Sequence, residues 1–239
     1  MEDPFSRARM LLGDEAMHRL QNASVAVFGV GGVGGAAAEA LGRAGIGRLD
    51  LFDPDRVALT NLNRQLAALH STIGCLKADV MRDRLLDIHP EASVTARPLF
   101  YAADTAGEVE LSEYTYIVDA IDTVTSKLLL AERARDAGVP LISCMGTGNK
   151  LDPSLLRVSD IADTRVCPLA RVMRRELKKR GIFHLKVVYS EEPPRTPLFG
   201  EPADAGSARR QTPGSVSFVP PAAGYLLASV VVRDLTGIR

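Results

Sequence analysis

Val25-Ala-Val-Phe28-Gly29-Val-Gly31-Gly32-Val-Gly34, running on into Gly35-Ala-Ala-Ala-Glu39, is the stretch whose reading decides the fold. A β-branched and aromatic run over 25–28 predicts a buried strand, and 33–44 has helical character closed by Gly45. Gly29, Gly31, Gly32 and Gly34 fit G-x-G-x-x-G between that strand and that helix. Glycines allow the tight turn, let an anion approach the main chain, and leave helix N-terminal N–H groups aimed at it. Asp53 lies 19 residues after Gly34, ending a second predicted strand over 49–52, where a carboxylate can bind ribose hydroxyls. The motif predicts a nucleotide site without choosing the nucleotide. A nicotinamide dehydrogenase presents the same loop and acid, and a purely structural glycine turn stands as the bland alternative.

Working outward, the first half alternates strand and helix. A helix is predicted over 77–88, with Val80, Met81, Leu85 and Ile88 at helical spacing, ending before Pro90. Strands are predicted over 93–99, 115–121 and 140–144, with a helix over 126–137. This order implies an α/β fold, a Rossmann-like and mostly parallel sheet with helices on both faces. The second half is less regular, partly mixed or antiparallel. It has an amphipathic helix over 168–180, strands over 185–189 and 216–219, and a buried helix over 222–235. Between 191 and 214 lie five prolines and three glycines, which predicts a long loop. The chain reads as a single domain over 1–239, with a nucleotide-binding half (1–150) and a substrate-facing half (151–239).

Composition narrows the class. The 239 residues are 46% hydrophobic, enough for a packed core, and no apolar run approaches the roughly 18 residues a membrane span needs. The opening MEDPFSRARM lacks the apolar core of a signal peptide, which predicts a cytoplasmic protein with no membrane partner. Three cysteines without a Cys-x-x-Cys pair argue against a disulfide framework and a cysteine-rich zinc site. The formal charge is zero, yet residues 165–186 carry eight basic side chains and one acid. That stretch is +7, and the other 217 residues are −7.

Two cations discriminate among nucleotides. Arg64 and Lys77 follow Asp53 by 11 and 24 residues, on the next loop and helix. Hydride transfer has little need of such a pair, whereas a triphosphate losing pyrophosphate needs both. Asp122 follows the predicted strand 115–121, at the carboxyl edge where open α/β sheets bind ligands, and suits Mg²⁺ bridging phosphates.

The set Gly-x-Gly-Gly-x-Gly, Asp53, Asn61-x-x-Arg64-Gln65, Lys77 and Asp122 resembles the adenylation domain of the ubiquitin-activating-like (ThiF, MoeB and HesA) superfamily. The resemblance implies that Asp53 binds ribose, Arg64 and Lys77 bind the ATP phosphates, Asp122 holds Mg²⁺, and Asn61 polarises a phosphate or the acyl phosphate. Phe5-Ser6-Arg7 before Leu11-Leu-Gly13 is similar to the family's N-terminal motif, so Arg7 is implied to reach the partner's ATP in a homodimer. The family often has Asn after the acid, whereas here Thr123 follows Asp122 and its hydroxyl can replace one hydrogen bond.

Gly146-Thr-Gly-Asn149-Lys150-Leu-Asp152-Pro153, Cys167-Pro168-Leu-Ala-Arg171 and Arg209-Arg210-Gln-Thr-Pro-Gly-Ser215 resemble the tRNA threonylcarbamoyladenosine dehydratases. The absence of paired Cys-x-x-Cys motifs and of rhodanese-like sequence favours that branch over the sulfur-carrier activators. The resemblance implies ATP-dependent adenylation of the threonyl carboxylate of the modified adenosine, then ring closure with net loss of water. It implies tRNA as partner and leaves open a cysteine-desulfurase or sulfur-acceptor protein. Competing readings are an activator of a ubiquitin-like protein with a C-terminal glycine, and a nucleotide-binding adaptor without chemistry.

On the helix over 168–180, Arg171, Arg174, Arg175, Lys178 and Lys179 are expected to face away from the stripe of Leu169, Val172, Met173 and Leu177. They form a candidate phosphate-backbone site for tRNA, which Lys150, Arg209 and Arg210 can extend. Cys167, Cys144 and Cys75 read as packing or structural residues, and ring closure needs no external thiol. His18, His70, His89 and His184 show no metal spacing and read as surface or capping residues.

Overall fold

The structure is a computed structural model, and it describes residues 3–199 and 213–238. Among the described residues, seven strands form one sheet in the order β3-β2-β1-β4-β5-β7-β6. They are β1 (Ser24–Phe28), β2 (Arg48–Phe52), β3 (Ser93–Arg97), β4 (Tyr116–Asp119), β5 (Leu141–Cys144), β6 (Leu156–Asp160) and β7 (Lys186–Ser190). All neighbours are parallel except β6 and β7, which pair antiparallel with Val158 opposite Val188. The mostly parallel α/β reading is therefore the observed fold.

The central strands are apolar on both faces because helices cover both. Val25 and Val27 of β1 point into a core shared with α3 (Gly34–Arg43), α4 (Lys77–Ile88) and α7 (Val219–Thr236). Ala26 and Phe28 alternate to the other face, where they meet Leu130 and Ala134 of α5 (Val124–Asp136). A third cluster joins α5 to α6 (Pro168–Lys179) through Leu128, Met173 and Leu177. Helix α7 lies against α3 at backbone distance: a Cβ on Gly224 would come within 2.3 Å of the Val33 carbonyl oxygen.

The differences from expectation are local. Residues 216–218 form no strand, and α7 starts earlier than expected, at Val219, with proline in its first turn. Proline lacks the N–H a ladder needs but suits a helix start. Strand β6 and two N-terminal helices, α1 (Ser6–Leu12) and α2 (Asp14–Gln21), were not anticipated. Cys75 is exposed rather than structural. His89 ends α4 but is buried edge-on against Phe5, with ring centroids 4.8 Å apart. No helix among the described residues is long and apolar enough to cross a membrane.

Candidate nucleotide-binding site

Strand β1 pairs with β2 on one side and β4 on the other, so the loops leaving β1 and β4 diverge and open a crevice at the carboxyl edge. A cleft of about 470 Å³ lies there. Gly29, Gly31 and Gly32 line it together with Asp53, Arg64, Lys77 and Asp122. Residues far apart in the chain are thus brought to one cavity. Phe52, Leu99, Phe100 and Tyr101 add apolar lining suited to a flat heterocycle, and 146–148 with Pro213 and Ser215 also line the cleft.

The glycines have separate reasons. Gly29 has φ +85°, and a Cβ on it would meet the Ala120 carbonyl oxygen at 2.7 Å. Gly34 does not line the cleft; a Cβ there would fall 1.8 Å from the Gly29 oxygen, so it lets α3 start against β1. Gly31 has only the Gln65 amide within 4 Å of that position and faces the cavity. Gly31→Ala is therefore expected to leave the melting temperature nearly unchanged. It should weaken ATP about tenfold by calorimetry, the equivalent of ~1.4 kcal/mol. Gly34→Ala should fail to give a stably folded protein.

Asp53 is buried and ties the glycine loop to β2. Its Oδ2 accepts the Val30 N–H at 2.6 Å and its Oδ1 the Asp55 N–H at 2.9 Å. Burial pushes its carboxyl above the ordinary range, against the pull of these N–H groups and of Lys77. Lys77 opens α4 with its stem buried, and its Nζ donates to Asp55 Oδ2 at 2.7 Å. Arg64 is half-buried and donates to the Thr60 carbonyl (3.0 Å) and Asn63 Oδ1 (2.8 Å). Gln65 is buried beside Gly31 and lines the cleft, and its Oε1 has no hydrogen-bond partner among the described residues.

Asp122 is exposed at the carboxyl edge, and the Thr123 hydroxyl donates to it at 3.3 Å, the substitution expected for the missing Asn. A single carboxylate with room around it matches Mg²⁺, which keeps waters and shares phosphate oxygens. No group of three or more His, Cys, Asp or Glu among the described residues is placed to hold a metal by itself. Below Asp122 lies a group that sequence reading missed. Asp119 and Lys127 are both fully buried and paired at 2.9 Å; the Ser143 hydroxyl donates to the same Oδ2 at 2.6 Å, and the Ile121 N–H to Oδ1 at 3.1 Å. The signal was a lysine directly ahead of the apolar run Leu128-Leu-Leu130, eight residues after Asp119.

Other candidates fall elsewhere. Asn61 does not line the cleft: its Oδ1 accepts the Ala58 N–H (3.1 Å), and its carbonyl accepts the N–H groups of Arg64 (3.1 Å) and Gln65 (3.0 Å). It shapes the turn that carries Arg64. Arg7 is exposed on α1 and does not reach this cleft. Cys144 lines the cleft but is buried, its thiol pushed up to about 12 by burial, and Cys167 is buried at the start of α6.

On α6 the buried positions are Ala170, Met173 and Leu177. Val172 sits instead in a shallow outer groove with Arg171, Arg174, Arg175 and Lys178. Arg174 differs from the outward reading: its Nη1 donates to the Thr164 carbonyl (2.8 Å) and hydroxyl (2.7 Å), which anchors the preceding loop. Arg175 and Lys179 share Glu176 at 3.0 and 2.9 Å. Arg171 and Lys178 have no ion pair among the described residues. Lys150 is buried with its Nζ on the Glu192 carbonyl, so it does not extend this surface. Arg209 and Arg210 lie outside the described residues.

Comparison with known proteins agrees with this geometry. The ThiF family model matches residues 5–234. The chain is 41% identical to the tRNA threonylcarbamoyladenosine dehydratase of Bacillus subtilis, over 97% of this chain and 94% of that protein. Among solved structures, the E. coli tRNA N6-threonylcarbamoyladenosine dehydratase in complex with AMP superposes with TM-score 0.88 at 33% identity, covering 98% of this chain and 94% of the other. The same enzyme in complex with ATP superposes with TM-score 0.86, at the same identity and coverage. The glycine turn between β1 and α3, the acid after β2, the paired cations and the crevice they share are those of a protein that belongs to the ThiF family.

Proposed function

We propose that the protein is an ATP-dependent tRNA threonylcarbamoyladenosine dehydratase, acting in the cytoplasm. The observation that carries this is the cleft at the β1/β4 crevice, with Gly31, Asp53, Arg64, Lys77 and Asp122 on its walls, in a chain alike along nearly its whole length to such dehydratases. A carboxylate is a poor acyl donor because its leaving group would be oxide. Attack of the threonyl carboxylate on the α-phosphorus of ATP expels pyrophosphate and leaves an acyl-adenylate. A nitrogen or oxygen of the same carbamoyl group then closes the ring and expels AMP. The nucleophile is already in the molecule, and such held geometries reach effective molarities of about 10⁵ M or more.

In this reading the chain's residues bind and orient. Asp53 holds the ribose end and the glycine loop together, and the Gly31 and Gly32 backbone admits the phosphates. Arg64 and Lys77 meet the charge that grows on pyrophosphate as it leaves. Asp122 would hold Mg²⁺, which neutralises phosphate charge when bound. Asn61 acts through the turn it shapes. Arg7 is assigned to the nucleotide of a second copy, a reading supported by the exposed Met10 and Leu11 beside it on α1, 84% and 86% exposed. Any cysteine-desulfurase or sulfur-acceptor partner would act outside this cycle. Cys167→Ala is expected to retain ATP-dependent cyclisation; loss of product with AMP formation intact would reject that.

The tRNA surface is assigned to α6, through Arg171, Arg175, Lys178 and Lys179, with Arg174 stiffening the loop beneath. Phosphate contacts make affinity fall with salt, and replacing one contacting lysine lowers the log–log slope by about 1. Filter binding of Lys178→Ala at several salt concentrations should show that change; a flat wild-type response would remove α6 from the interface. The function itself is tested by mass spectrometry of tRNA nucleosides after incubation with protein, ATP and Mg²⁺. Loss of water from the modified adenosine is expected. Pyrophosphate exchange driven by a ubiquitin-like protein, without tRNA product, would favour the sulfur-carrier reading.

A further inference from the structure

Part of the cleft wall is a strap at 213–215, held from both sides of the crevice. Pro213 and Ser215 line the cleft. On the β5 side, Asn149 holds the strap by two hydrogen bonds, and its neighbour Gly148 lies close against it. The Asn149 N–H donates to the Gly214 carbonyl at 2.7 Å, its Oδ1 accepts the Gly214 N–H at 2.7 Å, and a Cβ on Gly148 would stand 2.8 Å from Pro213. Asn149 takes φ +60°, one of two non-glycine residues in the left-handed region among those described. Asparagine tolerates that conformation better than most residues, and such conformations persist where surrounding bonds hold them. On the β2 side, Asn63 Nδ2 donates to the Ser215 carbonyl at 2.9 Å. The same amide's Oδ1 accepts from Arg64 at 2.8 Å. A guanidinium can only donate, so it fixes which way the Asn63 amide faces.

We infer that Asn63 and Asn149 are positioning residues that clasp 213–215 across the nucleotide cleft and so keep water from the acyl-adenylate. This rests on the reaction proposed above. That intermediate has two exits. Ring closure moves the acyl group to the substrate's own nucleophile, whose proton is released with AMP. Hydrolysis adds water, regenerates the carboxylate and also releases AMP, so ATP is spent without product. A strap fixed at the cleft wall beside Arg64 biases the first exit. Because Asn63 joins the strap to Arg64, the strap and the phosphate contact share one side chain.

The test is the ratio of AMP formed to nucleoside cyclised, with the dissociation rate of a fluorescent ATP analogue as a second readout. Asn149→Gly keeps the left-handed backbone at no steric cost and deletes the side-chain acceptor. Asn63→Asp keeps the acceptor for Arg64 and sets an oxygen against the Ser215 carbonyl. Asn149→Asp keeps its acceptor while adding the same charge, which controls for charge. Loss of one hydrogen bond should raise the AMP-to-product ratio roughly fivefold in the first two variants. The analogue should leave faster from both, and Asn149→Asp should match wild type. Wild-type ratios together with unchanged analogue dissociation in the first two variants would overturn the clasp. If the wild-type protein cyclised no tRNA, the function would fail instead, and faster analogue dissociation would still support the strap while an unchanged rate would reject it.

Discussion

Arg64→Ala is expected to lower ATP-dependent cyclisation by about 10²–10³, the usual cost of removing one preorganised donor from a developing charge. Stability should barely move. Arg64 is half-buried, and its hydrogen bonds go to the Thr60 carbonyl and the Asn63 amide of its own turn, which the Asn61 carbonyl closes independently. The measurement is single-turnover formation of the cyclic nucleoside beside a thermal melt. A full loss of rate with an unchanged melt places Arg64 on the reacting phosphates. A matching loss of both would make it a fold residue. Lys77 is the less clean probe, because its Nζ also neutralises Asp55 and its stem is buried at the start of α4.

Lys127→Ala should destabilise the protein by about 3–5 kcal/mol in urea, because it leaves the Asp119 carboxylate buried without its cation. For a domain of this size that is a fall in melting temperature of roughly 10 °C. Both side chains are fully buried, and Asp119 also receives the Ser143 hydroxyl and the Ile121 N–H. Pairing Asp119→Leu with Lys127→Met should restore much of the stability, since a buried ion pair often exchanges for apolar groups without loss. Activity should stay low in that double variant. Asp119 anchors Ile121, and Ile121 precedes Asp122, so an apolar replacement frees the turn that presents the acid. Recovery of activity together with stability would show that the pair only fills the core.

Much of the fold was legible because its signals are local. Helix α4 was read with its observed ends, and β1, β2 and β5 within a residue, since proline, glycine and apolar runs mark their bounds within a few positions. Strand β6 was not legible: Leu156-Arg-Val-Ser-Asp160 is short and polar on one face, and only its pairing with β7 makes it a strand. The expected strand over 216–219 erred the other way, since Val216, Phe218 and Val219 look β-like until Pro220 and Pro221 open a helix.

The sequence by itself determined the parallel α/β class, the glycine turn and the group Asp53, Arg64, Lys77 and Asp122, because Asp53 and Asp122 follow strands, Lys77 starts a helix and Arg64 sits in the connection between β2 and α4. Only the tertiary structure decided what faces that group. Asn61 was turned into its own loop by Ala58, Arg174 was drawn inward by Thr164, and Asp119 and Lys127 were paired beneath Asp122. Asn63 and Asn149, 86 positions apart, met on one strap. A hydrogen bond reaches about 3 Å and carries no record in sequence spacing once the chain between its partners is long. Local pattern therefore placed the nucleotide wall of the cleft, and long-range packing placed the wall that closes it.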